Sequence, residues 1–123
     1  MQNDTAPVAA GCPDPDRCPV EVTLSAIGGK WKALILYHVI DAPRRFNELR
    51  RLMPSVTQRM LTQHLRELEA DGILHREVRA QVPPHVEYSL TDKGRTLVPV
   101  LDAMARWGTA NARSATPARS RDG

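Results

Sequence analysis

Arg59, Gln63 and Arg66 are the side chains of this 123-residue chain whose types and spacing could do chemistry. That chemistry is hydrogen bonding rather than bond making. With Leu61 as zero on a helical wheel at ~100° per residue, the three fall near ~160°, ~200° and ~140°, and Thr62 flanks them near ~100°. Leu65 and Leu68 fall near ~40° and ~−20°, so the leucines take the opposite side. An arginine fork matches a phosphate or the O6/N7 edge of guanine, and a glutamine amide matches adenine. Thr57 stands where an N-cap belongs, Gln58 follows in the first turn, and Gly72 suits a left-handed C-cap. Glu67, Glu69 and Asp71 are read as lying on the flank and the C-terminal end, leaving the outer stripe without an acid. The plain alternative is an amphipathic helix with an ordinary polar outer face.

Cysteine supplies the other reactive group. Cys12 and Cys18 are the chain's two cysteines. Cys18 precedes Pro19 at a helix start, where the helix dipole and free N–H groups stabilise a thiolate open to oxidants or electrophiles. Cys12 could resolve a sulfenate formed on Cys18. Both are expected as thiols, because a chain without a secretory leader belongs in a reducing compartment. The N-terminus has neither a basic n-region nor an apolar h-region, and no apolar run approaches a membrane span. A cytoplasmic location is expected. The alternative for Cys18 is a residue that only caps and packs.

No glycine-rich phosphate loop, nucleophile elbow or paired carboxylate cluster is present, so neither catalytic residues nor a cofactor are expected. Gly28-Gly29-Lys30 imitates a fragment of a phosphate loop inside a helical context. Cys12 and Cys18 lack metal-ligand spacing and the four histidines are scattered, so no metal site is expected. Net charge is only +3. The imbalance is local: residues 44–79 hold eight arginines, Arg44, Arg45, Arg50, Arg51, Arg59, Arg66, Arg76 and Arg79, against five acids, Glu48, Glu67, Glu69, Asp71 and Glu77. Clustered arginine points to a polyanion partner; a solvated basic face is the alternative.

The elements that must position these groups follow from the pattern. Residues 1–17 read as a flexible arm. A first helix starts at Cys18-Pro19, repeats Val20, Leu24 and Ile27, and ends at Gly28-Gly29. A second runs from Trp31 to Asp41, with Pro43 as its stop. Arg44-Arg45-Phe46 suits a short extended segment. A third, short helix carries Leu49, Leu52 and Met53 and ends before Pro54. The helix of Leu61 follows. Strands are expected over Ile73–Arg79 and Val86–Thr91, the second alternating cleanly. The long connection makes them a wing, with Arg76, Arg79 and His85 able to reach phosphates or a minor groove. Thr91 should cap one last helix to about Ala112, kinked at Pro99. Its stripe of Leu97, Leu101, Met104 and Trp107 is too apolar for its own chain, and with Val20 and Leu24 of the first helix it reads as a dimer interface. Residues 113–123 read as a disordered basic tail.

The class is therefore α+β and mostly helical: a winged helix-turn-helix over 18–112 with a two-stranded wing and a C-terminal dimerisation helix. Particular motifs extend the likeness. Cys18-Pro19-Val20, Ile27-Gly28-Gly29-Lys30-Trp31, Arg45-Phe46-Asn47-Glu48-Leu49, the run Leu61–Leu68, Asp71-Gly72 and the run Val82–Thr91 closely resemble the HxlR-type transcriptional regulators of bacteria. The resemblance covers about residues 18–108, and His64 and His85 stand where that family often carries arginine. It implies a homodimer on an inverted-repeat DNA operator, one recognition helix per half-site. Some members sense stress through a cysteine at the CPV position. The DNA contacts expected are Thr57, Gln58, Arg59, Thr62, Gln63, Arg66, Arg45, Arg76, Arg79 and His85.

Two other readings stay open. A winged helix can serve protein–protein contact alone, but such a module is expected to place acids or apolar groups on the outer stripe. A small-molecule effector could occupy a pocket near Trp31, Tyr37 and Trp107.

Overall fold

The computed structural model describes residues 18–115, with side chains as far as Ala112. The expected arm at 1–17, Cys12 within it, and most of the expected tail lie outside the described residues. The order is α1 (Pro19–Ile27), α2 (Lys32–His38), β1 (Arg44–Arg45), α3 (Phe46–Leu52), α4 (Gln58–Ala70), β2 (Leu74–Arg79), β3 (His85–Leu90), α5 (Asp92–Arg95) and α6 (Val98–Ala115). The strands form one antiparallel sheet in the order β1-β3-β2. Leu74 pairs with Leu90 at its inner end and Arg79 with His85 at its outer end. β1 adds Arg44 opposite Tyr88 and Arg45 opposite Glu87.

One aliphatic core holds these elements. Ile35 and Leu36 of α2, Leu49 of α3, Leu61, Leu65 and Leu68 of α4, and Ile73, Leu74, Tyr88 and Leu90 of the hairpin are all buried together. Leu61, Leu65 and Leu68 recur on one stripe, so burying them fixes the roll of α4 and turns the opposite face outward. Tyr88 and Leu90 are buried while their β2 partners beyond Leu74 are exposed, so the hairpin leaves the core as it extends.

Local chemistry sets the ends of α4. The Thr57 hydroxyl accepts from Met60 N at 3.1 Å. At the other end Gly72 has φ +77, a left-handed conformation that favours glycine. Its N–H bonds Glu69 O at 3.0 Å while Ile73 N bonds Leu68 O at 3.0 Å, a Schellman closure. Lys93 Nζ donates to Asp71 O at 2.7 Å, and Thr91 Oγ1 donates to Gly72 O at 2.6 Å, tying the end of α4 to α5.

Three expectations need correcting. The second helix stops at His38 rather than Asp41: Val39 N already turns back to Leu36 O at 3.1 Å, ahead of Pro43. The last helix is two helices rather than one kinked helix. The Thr91 hydroxyl accepts from Gly94 N and starts α5, the chain turns at Thr96-Leu97, and Pro99 sits in the first turn of α6, where its missing N–H costs nothing. α6 then continues to Ala115, past the expected end near Ala112. Third, Leu101 is 2% exposed within its own subunit's core and Leu97 packs partly buried against that core, so the stripe is not wholly surplus to its own chain.

The junction between α5 and β2 is tight. A Cβ at Gly94 would collide with the Ile73 carbonyl oxygen and lie 3.1 Å from Leu90 Cδ2. Gly94→Ala should cost about 1–3 kcal/mol through overpacking. Urea unfolding at fixed protein concentration measures it, and an unchanged midpoint would contradict the close approach.

Candidate nucleic-acid interface

The outward face of α4 is concave and cationic. Gln58, Arg59, Thr62, Gln63, Arg66 and Glu67 line a depression of about 620 Å³. Arg59, Gln63 and Arg66 are exposed and Thr62 is half-buried. α3 supports the near end, where Arg50 Nη1 donates to Gln58 Oε1 at 3.5 Å. Thr57 sits at the helix start. Its hydroxyl lone pair serves Met60 N, which leaves the hydroxyl proton for an acceptor outside.

Glu67 is the departure from the expected pattern. It lines the same depression as the arginines rather than standing apart on a flank. Its Oε1 lies 2.8 Å from Lys32 Nζ of α2, and its Oε2 accepts from Gln63 Nε2 at 3.1 Å. His64 Nδ1 is 3.8 Å from the same Oε1. The bond from Lys32, then that from Gln63, hold the Glu67 carboxyl below the usual range, so it remains an anion near neutral pH. Sequence reasoning passes over Lys32 altogether. The spacing of Gln63 and Glu67, four apart on a helix, is the signal available for the other half of the contact.

The wing brings up the second set. Arg66 and Arg76 line a groove of about 410 Å³ between α4 and the hairpin, with Phe46, Thr62, Glu69, Val86 and Tyr88. Arg45 and His85 line a neighbouring groove of about 740 Å³ with Asn47, Arg51 and Glu87. Arg45 is placed by the start of α3, where its N–H donates to Glu48 Oε1 at 2.7 Å. Arg76 and Arg45 are exposed. Arg79 and His85 are already paired: Arg79 with Glu87 at 3.2 Å and Glu77 at 3.5 Å, His85 Nε2 with Glu87 at 3.2 Å. The His85 contact, ahead of the Arg79 one, lowers the Glu87 pKa. Of the expected contacts, Gln58, Arg59, Thr62, Gln63 and Arg66 line the α4 depression, Arg76 and Arg45 line the grooves beside the hairpin, and Arg79 and His85 have internal counter-ions.

Cys18 differs from its expected thiol form. It is disulfide-bonded and buried. It occupies the N-cap of α1 in extended conformation, with no side-chain cap bond to the helix N–H groups. Its sulfur is therefore not held by the helix N-terminus that would stabilise a thiolate, and is committed to sulfur instead.

The apolar residues expected at an interface divide. Val20 and Leu24 of α1 and Met104 and Trp107 of α6 are exposed, Trp107 at 71%. Between α2 and α6, Ala33, Leu34, Tyr37, Leu101, Met104 and Ala105 line an apolar groove of about 270 Å³. Trp31 packs against the core instead, with Lys30 Nζ 4.8 Å from its ring centre. Among the described residues no helix is long and apolar enough to cross a membrane, and no three His, Cys, Asp or Glu converge as metal ligands.

Known proteins share this arrangement. The family model described as HxlR-like helix-turn-helix matches residues 26–116. The chain is 64% identical over 99 residues to the uncharacterized HTH-type transcriptional regulator YybR of Bacillus subtilis (strain 168), covering 80% of this chain and 79% of that protein. Among solved structures it is similar to the redox regulator HypR in its oxidized form, with TM-score 0.74, 66% identity, and coverage of 76% of this chain and 97% of that one. The reduced form of HypR matches with TM-score 0.73 and 65% identity, over 76% of this chain and 93% of that one. A surface built around an exposed Arg-Gln-Arg stripe, in a chain matched over most of its length by this family, makes the protein a DNA-binding HTH transcriptional regulator, not an enzyme, and a member of the HxlR-like helix-turn-helix family.

Proposed function

We propose that the chain works in the cytoplasm as a homodimer on an inverted-repeat operator, laying α4 of each subunit in a major groove. The observation that carries this reading is the fixed roll of α4: three buried leucines hold Arg59, Gln63 and Arg66 outward on one stripe. Arg59 and Gln63 read base edges; Thr57, Gln58, Thr62 and Arg66 contact bases or backbone at the same groove. Arg45 and Arg76 neutralise phosphates on either side, and Arg79 and His85 join them by exchanging Glu87 for a phosphate. The exposed Val20, Leu24, Met104 and Trp107, with the α2–α6 groove, supply the apolar surface for a second subunit. Two-fold symmetry then spaces the half-sites one helical turn or more apart.

Cys18 supplies the signal in this reading. Two thiols lose two protons and two electrons to a two-electron oxidant, and one S–S bond forms between Cys18 and a Cys12, of the same or the partner chain. Because Cys18 begins α1, which carries part of the dimer surface, the bond shifts the spacing of the two α4 helices. The likeness to HypR, a redox regulator with solved oxidized and reduced forms, supports this choice over a diffusible effector. The groove by Tyr37 is open, carries no convergent polar groups, and at about 270 Å³ is small for a ligand pocket.

Three measurements test the proposal. Arg59→Ala should cost about 1–3 kcal/mol of operator binding and relax specificity at one position, whereas Arg76→Ala should weaken binding to all sequences and reduce the salt slope by about one. If Arg59→Ala and Gln63→Ala leave affinity untouched, α4 is not the reading helix. Trp107→Asp should dissociate the dimer in sedimentation; a dimer that persists places the interface elsewhere. Diamide, which is reduced to its hydrazine as the disulfide forms, should change the affinity of the reduced wild type about 5–150-fold, a usual allosteric coupling. Cys12→Ser and Cys18→Ser should not respond, and an equal response in both variants would remove the cysteines from the mechanism.

A further inference from the structure

We infer that Glu67 is a specificity-positioning residue: it orients the Gln63 amide so that Gln63 selects a base presenting an amino group. The inference rests on α4 being the reading helix. It arises from the Lys32–Glu67–Gln63 chain, in which Nζ to Oε1 is 2.8 Å and Nε2 to Oε2 is 3.1 Å.

A glutamine amide has two faces that differ in hydrogen-bond sense, and a free glutamine turns between them at little cost. A carboxylate is acceptor-only, so whichever way the side chain turns, the group facing Glu67 must be the NH2. That leaves Oε1 and one remaining N–H for a ligand. In the major groove adenine N6 and cytosine N4 donate, and adenine adds the N7 acceptor, whereas guanine and thymine offer acceptors there. A held Gln63 therefore pairs with adenine through both atoms or with cytosine through Oε1. Guanine or thymine could take only the remaining N–H, leaving Oε1 unpaired or facing an acceptor, unless Gln63 turned and broke its bond to Glu67.

An acid among DNA-facing arginines is otherwise costly, because it repels phosphates. Lys32 answers that. Its ammonium comes from α2, below the reading surface, with a side chain only 14% exposed. It offsets the Glu67 charge from behind while the carboxylate holds Gln63 in front. The acid can then act on Gln63 without setting an uncompensated anion against the DNA.

The test is selection from randomised half-sites with the full-length protein, followed by affinity measurements on the selected operators. Wild type should prefer adenine or cytosine at one position per half-site, and Gln63→Ala should lose that preference. Glu67→Gln keeps the shape, but its amide can donate or accept, so Gln63 is released. Discrimination at that position should fall about threefold to tenfold, the worth of one hydrogen bond, with the other positions unchanged. Lys32→Met should relax the same position less. A role in charge alone would raise affinity for all sequences and leave the base ranking intact; that result overturns the inference, as does an unchanged ranking in Glu67→Gln. Retained preference in Gln63→Ala, together with loss of binding in Arg59→Ala, overturns it while sparing the reading helix. Only if both Arg59→Ala and Gln63→Ala bind as wild type does the reading helix fall as well.

Discussion

The burial of Leu61, Leu65 and Leu68 is the constraint on which everything else in this molecule depends. A helix presents its side chains around a full circle, and nothing in its backbone chooses which of them meets solvent. Three leucines buried against Ile35, Leu36 and Leu49 make that choice. Rolling α4 by one residue would expose leucine and bury charge, a cost of several kcal/mol that no surface contact could offset. The stripe of Arg59, Gln63 and Arg66 thus owes its orientation to residues buried on the opposite face.

Orientation about the axis is one requirement and position along it is another. Here polar contacts decide. Thr57 fixes the first turn, and the closure at Gly72 and Ile73 fixes the last. Thr91 then couples two elements through one hydroxyl, donating to carbonyls at the end of α4 while accepting from Gly94 at the start of α5. These are short-range bonds with long-range effect, since Thr91 also ends β3 and so sets where the hairpin stands. The same economy appears in α3, whose Glu48 holds the backbone at Arg45 and with it one edge of the basic surface.

Much of this is legible in the sequence because it depends on local periodicity and on single residues with strong preferences. The leucine stripe, the Thr57 and Thr91 caps, Gly72 and the alternation of β3 can all be read in one dimension. What cannot be read depends on which element lies against which. Lys32 reaches Glu67 from a distant part of the sequence, so its role emerges only once α2 lies behind α4. Leu101 reads as interface because it shares a stripe with Met104, yet α2 and the core claim it first. The break between the two helices at Thr96-Leu97 is hidden because a proline after a helical run reads as a kink, whereas here it lies in the first turn of a new helix. The internal pairing of Arg79 and His85 with Glu87 follows from strand register, which alternation alone does not supply. The disulfide at Cys18 is missed because the thiol expectation rests on compartment and not on geometry.

The Thr91 clamp also makes α4 and the hairpin a caliper of set width. Opening its jaws breaks bonds at Gly72 and Ile73, so on the proposed docking a duplex whose grooves do not match is bent or twisted to fit. Stiff and pliant base steps answer that demand differently. On the proposed docking, therefore, base pairs lying between the jaws are selected through their mechanical compliance, though no side chain touches them.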